Sequence, residues 1–414
     1  MIEVYRINPL RFFRKKFGIN KILAIPAIRF IRLYQYTLSP DKGLPSLRLK
    51  GRVCMHIPHC SQYSLQVMKR YGFWPGIGYA MDRVLHCTGG MHKIYDPDHY
   101  KVVFFSGAPI GVPFLQALAQ DKRFEIVGVV SQGDKPVGRG MEMAENIIKI
   151  EGKKIQKSQP STSQLSTFIQ TPSKLNPEKS EEGRQFAERL KEKNPDFLVV
   201  IAYGKIIPQA ILNIPTIAPI NVHGSLLPKY RGASPIQSCL LNNDKETGIT
   251  IMKMDAEMDT GNMIDKLGFK IGFDRTSKNI IERFQTYGPK FLNDTLRKYG
   301  KKMLGEVKQD DSKATYCSKI EKESGLIDPR KDSLHDIYCK YRAYAQRPKI
   351  YFMIEDKRVI VEELKLYENI YMKEKDIPLM YQNNSLNESV EHLSLKPEGK
   401  KAMDRKEFLH GYLR

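Results

Sequence analysis

The chain has 414 residues, 41% of them apolar, so it is too long for one ordinary domain and apolar enough to build real cores. Its formal net charge of +21 points to a polyanionic partner such as RNA or an acidic membrane surface. Six cysteines are too few for a disulfide framework at this length, which predicts a reducing compartment. No uninterrupted apolar run reaches the roughly 18–20 residues that cross a bilayer, and nothing in the sequence reads as a cleavable signal peptide.

The charge is unevenly spread: residues 1–98 hold 16 Lys and Arg against 5 Asp and Glu, whereas residues 301–414 hold 23 against 20. The opening stretch "VYRINPLRFFRKKFGINKILAIPAIRFIRLYQY" interleaves bulky apolar residues with Arg6, Arg11, Arg14, Lys15, Lys16, Lys21, Arg29 and Arg32. After Pro26, residues Ile28, Ile31, Leu33, Tyr34 and Tyr36 recur at roughly helical spacing. A basic amphipathic helix lying in an anionic headgroup layer has this pattern, each cation adding about 1 kcal/mol. An ordinary helix with a solvated cationic face is the alternative.

From residue 101 the style changes. "KVVFFSGAP" reads as a fully buried parallel strand followed by a small-residue turn. A helix is predicted from Pro113, then a second strand in "FEIVGVVSQ". "DFLVVIAYG" and "APINVHG" repeat the signature. Strands alternating with helical stretches predict an α/β fold with a doubly wound, Rossmann-like sheet. Residues 153–185, rich in Ser, Thr, Gln, Pro and Lys, read as an exposed insertion with a short strand "FIQTP". A helix over 275–300 closes this part, and a linker runs from about 311. A short helix (332–345) and the runs "KIYFMIEDKRVIVEELKLYE" and "VEHLSLKP" then predict a small β-barrel. The expected organisation is a basic, mainly helical domain (1–98), a catalytic α/β domain (99–302), a linker (303–330) and an OB-like β-domain (331–414).

The chemistry concentrates in "INVHGSLLPKYRGASPIQ", residues 220–237. In open α/β sheets ligands bind beyond the carboxyl ends of the strands, and this is such an end. Asn221 and His223 stand two apart on a strand and so share a face. A neutral imidazole accepts a proton near pH 7, and an amide beside it donates to a developing oxyanion. Downstream, "MDAEMDTGNMI" places Asp255 and Asp259 before a turn at Gly261. A carboxylate reaching His223 would orient the ring and stabilise its protonated form. A hydrogen-bonded scaffold histidine and a turn-forming aspartate are the alternative.

Those motifs, with "VVIAYGKIIP", "FSGAPIGVPFLQAL", "VVSQGDKPVGRG" and the closing "LSLKPEGKKAM", resemble the methionyl-tRNA formyltransferase family over about residues 101–414. The resemblance implies that Asn221, His223 and Asp259 are catalytic and that Ser225, Leu226, Leu227 and Pro228 line a tetrahydrofolate pocket. It implies 10-formyltetrahydrofolate as co-substrate, initiator methionyl-tRNA as acceptor, and no metal. It also places Arg139 on a loop that meets the tRNA acceptor end, where Met141 and Glu142 stand in place of lysines. Phosphate contacts in the β-domain then fall to clusters such as Lys400, Lys401, Arg405 and Lys406, which otherwise form a solvated tail. Within enzymes, the competing reading is another amine acceptor, a nucleotide sugar or glycinamide ribonucleotide.

The first 98 residues are not needed for that chemistry. "CMHIPHCSQYSLQVMKRYGFWPGIGYAMDRVLHC" followed by "YDP" resembles the membrane protein insertion efficiency factor (YidD-like) family of small basic proteins on the inner face of the bacterial cytoplasmic membrane. Cys54, Pro58, Cys60, Ser61, Tyr63 and Cys87 match its pattern, whereas Met55, His59 and His86 replace its Arg, Thr and Arg. Cys54, Cys60 and Cys87, with His56, His59, His86 and His92 nearby, number enough ligands for a tetrahedral zinc, but the spacing is no standard finger and buried thiols are expected. The resemblance implies a peripheral, inner-face location and the membrane insertion machinery as a further partner. It leaves a second class of reading, a membrane-protein-biogenesis factor with a tethered enzyme.

Overall fold

A computed structural model of the chain describes residues 4–7, 17–37, 61, 63–65, 68, 73–74, 77–78, 80–81, 100–137, 141–158, 168–170, 172–368, 376, 378–380 and 387–412. Two units are present: residues Met1–Ile7 with Tyr100–Arg414, and Asn8–His99.

In the larger unit the apolar runs pair as parallel strands buried on both faces. In chain order the strands are β1 (Val4–Ile7), β2 (Tyr100–Ser106), β3 (Phe124–Ser131), β4 (Lys135–Val137), β5 (Glu142–Ala144), β6 (Phe168–Gln170), β7 (Phe197–Ile201), β8 (Ala218–His223), β9 (Arg231–Gly232), β10 (Glu246–Lys253) and β11 (Met263–Lys270). Eight of them form one sheet in the order β1-β11-β10-β8-β7-β2-β3-β6. The stretch from β6 to β8 is parallel, and β10, β11 and β1 continue it antiparallel. Alternation along β2 shows why its sequence is apolar throughout. Val102 and Phe104 pack on one side with Phe114, Phe284 and Leu292, while Val103 and Phe105 pack on the other with Phe186 and Leu190. Each such side chain taken from water contributes about 1.5–3 kcal/mol.

The order of strand addition reverses between β2 and β7, parallel neighbours at the switch point of the sheet. There Gly107 N donates to Ala202 O at 3.1 Å. The carboxyl ends of β2, β7 and β8 therefore share one edge, with Asn221 and His223 at the end of β8. The helix Ser277–Gly300 covers one face and Glu181–Lys193 the other.

Residues 153–185 depart from a plain exposed insertion. The helix Ile147–Ser158 runs into the segment because Ile148 and Ile155, seven apart, both bury against the core. The helix Glu181–Lys193 starts inside it, its Ser180 cap accepting from Gly183 N at 3.0 Å. Strand β1 was not legible in its own residues: it lies antiparallel to β11, with Val4 opposite Phe269 and Ile7 opposite Lys266.

The C-terminal part is an antiparallel β-domain. Strands β13 (Tyr351–Ile354), β14 (Lys357–Leu366), β15 (Val390–Pro397) and β16 (Met403–Asp404) lie in sequential order. Register shifts at Val361/Glu363 and Lys365/Leu366 bend the central pair, the usual device for curving a sheet. Helices Leu334–Ala343 and Arg405–Tyr412 accompany it, the first capped by Ser333, whose hydroxyl accepts from Asp336 N. Between the two parts, β12 (Tyr316–Cys317) pairs in parallel with β9.

In the smaller unit the helix spans Phe17–Thr37 and includes Pro26. It begins earlier than the periodicity after Pro26 predicts, because flanking good helix formers carry the helix through the missing proline donor. Ile25, Phe30, Leu33 and Tyr34 are exposed on it, as are Arg29 and Arg32. No described helix is long and apolar enough to cross a membrane. Arg11, Arg14, Lys15, Lys16, Cys54, Cys60, Cys87, His56, His59, His86 and His92 lie outside the described residues.

Candidate active site

Strand β8 delivers two polar side chains to one spot because Asn221 and His223 lie on the same face of the strand. Antiparallel pairing fixes their level, with His223 opposite Thr250 and Asn221 opposite Met252 on β10. The third group arrives from the turn between β10 and β11. Asp259 sits there with φ 57°, in the left-handed region that an aspartate tolerates better than most residues. Gly261 follows because a Cβ at that position would come within 1.9 Å of Lys253 O.

The three side chains converge. Asn221 Nδ2 donates to Asp259 Oδ1 at 3.1 Å, and His223 Nδ1 lies 3.6 Å from Asp259 Oδ2. The His223 ring is buried, 5% exposed, and its Nε2 faces Tyr230 O at 2.8 Å. A carbonyl only accepts, so the network assigns the hydrogen to Nε2 and leaves Nδ1, the nitrogen beside Asp259, to gain or lose a proton. Gly232 N donates to Asp259 Oδ2 at 2.9 Å, which completes the carboxylate's surroundings. Asp255 is not part of the group: it is exposed and accepts from Thr260 Oγ1 at 2.8 Å.

The loop after His223 is held from below. Thr250 Oγ1 donates to Ser225 O at 2.6 Å and accepts from Leu227 N at 3.1 Å. Lys266 Nζ donates to Leu227 O, and burial pushes its ammonium below the usual lysine range. Ser225 is fully buried, its hydroxyl given to Lys229 O at 2.6 Å, and the Leu227 side chain packs on Met252 and Met263. Leu226 and Pro228 are half-buried. The loop therefore offers a ligand the flanks of Leu226 and Pro228, not the Ser225 hydroxyl or the Leu227 side chain.

Sequence reasoning passed over Tyr230, Arg231, Gly232 and Gln309. Tyr230 takes φ 60°, and its hydroxyl donates to Asp244 Oδ2 at 2.8 Å. Burial, then that carboxylate, push its hydroxyl pKa up. Arg231 is 2% exposed and ion-paired with Asp311 at 2.7 Å. A cavity of about 480 Å³ adjoins this side of Asp259, lined by Arg231, Thr260, Asn262, Gln309, Asp311 and Tyr316 among others. The one available signal was the "RGAS" run, where an arginine-glycine pair follows a strand end.

Among the described residues no hydrogen bond or ion pair joins Lys400 or Lys401 to this group. Lys400 and Lys401 are exposed in the turn between β15 and β16. Arg139 lies outside the described residues; Met141, just ahead of β5, and Met143, on it, are each 68% exposed. Among the described residues no group of three or more His, Cys, Asp or Glu gathers as a metal site.

Comparison with known proteins fits this geometry. The family described as formyl transferase matches residues 100–296, and its C-terminal domain matches residues 319–413. Residues 23–99 match the family described as putative membrane protein insertion efficiency factor. The larger unit is thus that of a formyl transferase. A methionyl-tRNA formyltransferase of Caldanaerobacter subterraneus is 33% identical over 323 residues, covering 75% of this chain and 97% of the relative. One from Campylobacter jejuni is 34% identical over 319 residues, covering 75% and 96%. Among solved structures, the methionyl-tRNA formyltransferase of Clostridium thermocellum has a TM-score of 0.43 at 18% identity, covering 65% of this chain and 94% of that one. The chain belongs to the methionyl-tRNA formyltransferase family, with an insertion-efficiency-factor segment ahead of it.

Proposed function

We propose that the chain transfers the formyl group of 10-formyltetrahydrofolate to the amino group of methionyl-tRNA, for translation initiation. Asn221, His223 and Asp259 are the residues assigned to the reacting atoms. The observation that carries the reading is their convergence at the end of β8, in a chain that spans nearly the whole length of relatives bearing that name. The loop Ser225–Pro228 suits the face of a flat heterocycle, since Leu226 and Pro228 leave two half-buried apolar flanks.

When bound, 10-formyltetrahydrofolate supplies a one-carbon unit already carried as an N-formyl group. As the methionyl nitrogen bonds to the formyl carbon, negative charge gathers on the formyl oxygen. Asn221 Nδ2 gives one hydrogen to Asp259 and has a second to offer that oxygen. One such donor contributes typically about 2.7–4 kcal/mol to transition-state binding. His223 Nδ1 takes the proton the amine loses, and Asp259 stabilises the imidazolium so formed. The same nitrogen returns a proton to the departing folate nitrogen. One carbon–nitrogen bond forms, one breaks, and one proton passes between the two nitrogens. Arg139, Lys400 and Lys401 are assigned to tRNA phosphates, with sequence position and, for the two lysines, exposure as their support.

The test is formyl transfer to charged initiator and elongator methionyl-tRNA side by side, with small amines as competing acceptors. Transfer to initiator methionyl-tRNA is expected. Transfer only to a nucleotide sugar or glycinamide ribonucleotide would overturn the reading.

For residues 1–98 the proposed role is peripheral attachment to an anionic membrane surface, at the inner face of the cell membrane and beside the insertion machinery. The support is the excess of cations there, the family matched by residues 23–99, and a helix that exposes Phe30 and Leu33 beside Arg29 and Arg32. Binding to vesicles of acidic lipid tests it.

A further inference from the structure

We propose that Gln309, in the segment between the helix Ser277–Gly300 and β12, is a positioning residue that seats Asp259 opposite His223, so that this connecting segment is a working part of the site. The proposal rests on the formyl-transfer reading above. Gln309 is 3% exposed and every polar atom of its amide is engaged. Its Oε1 accepts from Arg231 Nε at 3.0 Å, and its Nε2 donates to Asp259 O at 2.7 Å and to Gly261 O at 2.8 Å. Arginine only donates, so the amide can be oriented in one way, with both its hydrogens on the turn that carries Asp259.

That turn needs holding. Asp259 stands at φ 57°, a conformation that persists only where the surroundings over-determine it. Gln309 grips the turn from the backbone side, while Asn221 and Gly232 grip the carboxylate. The same segment reaches the other half of the pair. Thr315 Oγ1 accepts from Tyr230 N at 2.8 Å and Thr315 O accepts from Arg231 N at 2.8 Å. Tyr230 O is in turn the acceptor for His223 Nε2. Residues 309–317 thus hold Asp259 by one contact and His223 by another. The ionisable groups around His223 are Asp259 from the β10–β11 turn, Tyr230 and Arg231 from its own loop, and Cys317 from β12. Among the described residues only the Asp259 carboxylate lies within 4 Å of a ring nitrogen, at 3.6 Å from Nδ1.

The experiment uses the full chain carrying Gln309→Met, which keeps the shape and removes the donors, or Gln309→Glu, which keeps only the acceptor for Arg231. Histidine-selective NMR follows the His223 ring-nitrogen chemical shifts without reference to turnover, and steady-state kinetics follow transfer. A carboxylate displaced from Nδ1 changes what that nitrogen faces, so the Nδ1 shift moves. The expected results are that movement, a kcat lowered about ten- to a hundredfold, and a KM for the formyl donor changed less than about twofold. Thr315→Val, at an exposed position, moves the same readouts by less and covers the case in which the Gln309 variants do not fold. Variants that lower only the melting temperature, with the His223 shifts and kcat unchanged, would overturn the proposal. A wild-type chain that does not formylate methionyl-tRNA overturns the functional reading, and the His223 shifts still decide the role of Gln309.

Discussion

Gly232 donates its amide hydrogen to Asp259 Oδ2 at 2.9 Å while its α-carbon lies hard against the connecting segment. Its φ is 123°, and a Cβ there would stand 2.2 Å from Cys317 O. The residue must be glycine for two separate reasons, one conformational and one steric. Gly232→Ala is expected to cost about 1–3 kcal/mol of backbone strain, plus the cost of moving β12. Calorimetry should then show a melting temperature lowered by about 2–4 °C for each kcal/mol. Gly305, with nothing within 4 Å of a built Cβ, supplies the control, since Gly305→Ala is expected to stay within about 0.5 kcal/mol. Equal losses at both positions would remove the argument.

The Asn221–Asp259–His223 geometry predicts how the site fails. His223→Ala removes the group that exchanges the proton, and Asp259→Asn sets an amide hydrogen against Gly232 N or Asn221 Nδ2, both already donors. Each is expected to lower kcat by about 10²–10⁴-fold, the usual range for losing acid–base assistance. On the proposed reading the formyl donor meets the Ser225–Pro228 loop, which neither change touches, so its dissociation constant should shift less than about threefold. Single-turnover kinetics and equilibrium binding separate the two. Turnover near that of the parent in both variants would end the assignment.

The parallel strands were legible because burial on both faces leaves an unbroken apolar run, and Val102 to Phe105 are all fully buried. The pairing of Asn221 with His223 followed from strand periodicity alone. Asp259 stood beside Asp255 as a carboxylate that could reach His223, and the resemblance settled its role, since nothing in a stretch 36 residues downstream says that its turn folds back to β8. Gln309 and β1 were invisible for the same reason in stronger form. Each acts through main-chain partners about 50 or more residues away, at Asp259 and at Leu267, and a backbone acceptor leaves no mark on side-chain pattern. The loop after His223 was legible as a loop, but not that Ser225 and Leu227 would turn inward.

Strand β1 covers the outer edge of β11, with Arg6 opposite Leu267. An uncovered edge presents unpaired N–H and C=O groups that invite another chain. Removing residues 1–7 is expected to leave kcat within about twofold, because β11 is separated from β8 by β10. The same truncation should lower the melting temperature by a few degrees and raise concentration-dependent light scattering. A truncated chain as stable and as monodisperse as the parent would show that the pairing contributes nothing.

Surface binding as proposed for residues 1–98 has two separable contributions, the cations ahead of the helix Phe17–Thr37 and the face of the helix itself. Phe30 is 72% and Leu33 60% exposed, three apart and hence on one side, with Arg29 and Arg32 beside them. Each cation near an anionic surface contributes about 1 kcal/mol and is screened by salt, whereas apolar insertion is not. Neutralising Arg11, Arg14, Lys15 and Lys16 to Gln should therefore lower partition onto acidic vesicles by about 10²–10³-fold at low salt, with little change at high salt. Phe30→Ser with Leu33→Ser should lower it at every ionic strength. Neither set touches Asn221, His223 or Asp259, so formyl transfer to methionyl-tRNA free in solution should persist in both. Vesicle sedimentation across a salt series distinguishes the two contributions, and undiminished binding by the neutralised chain would sink the electrostatic half of the reading.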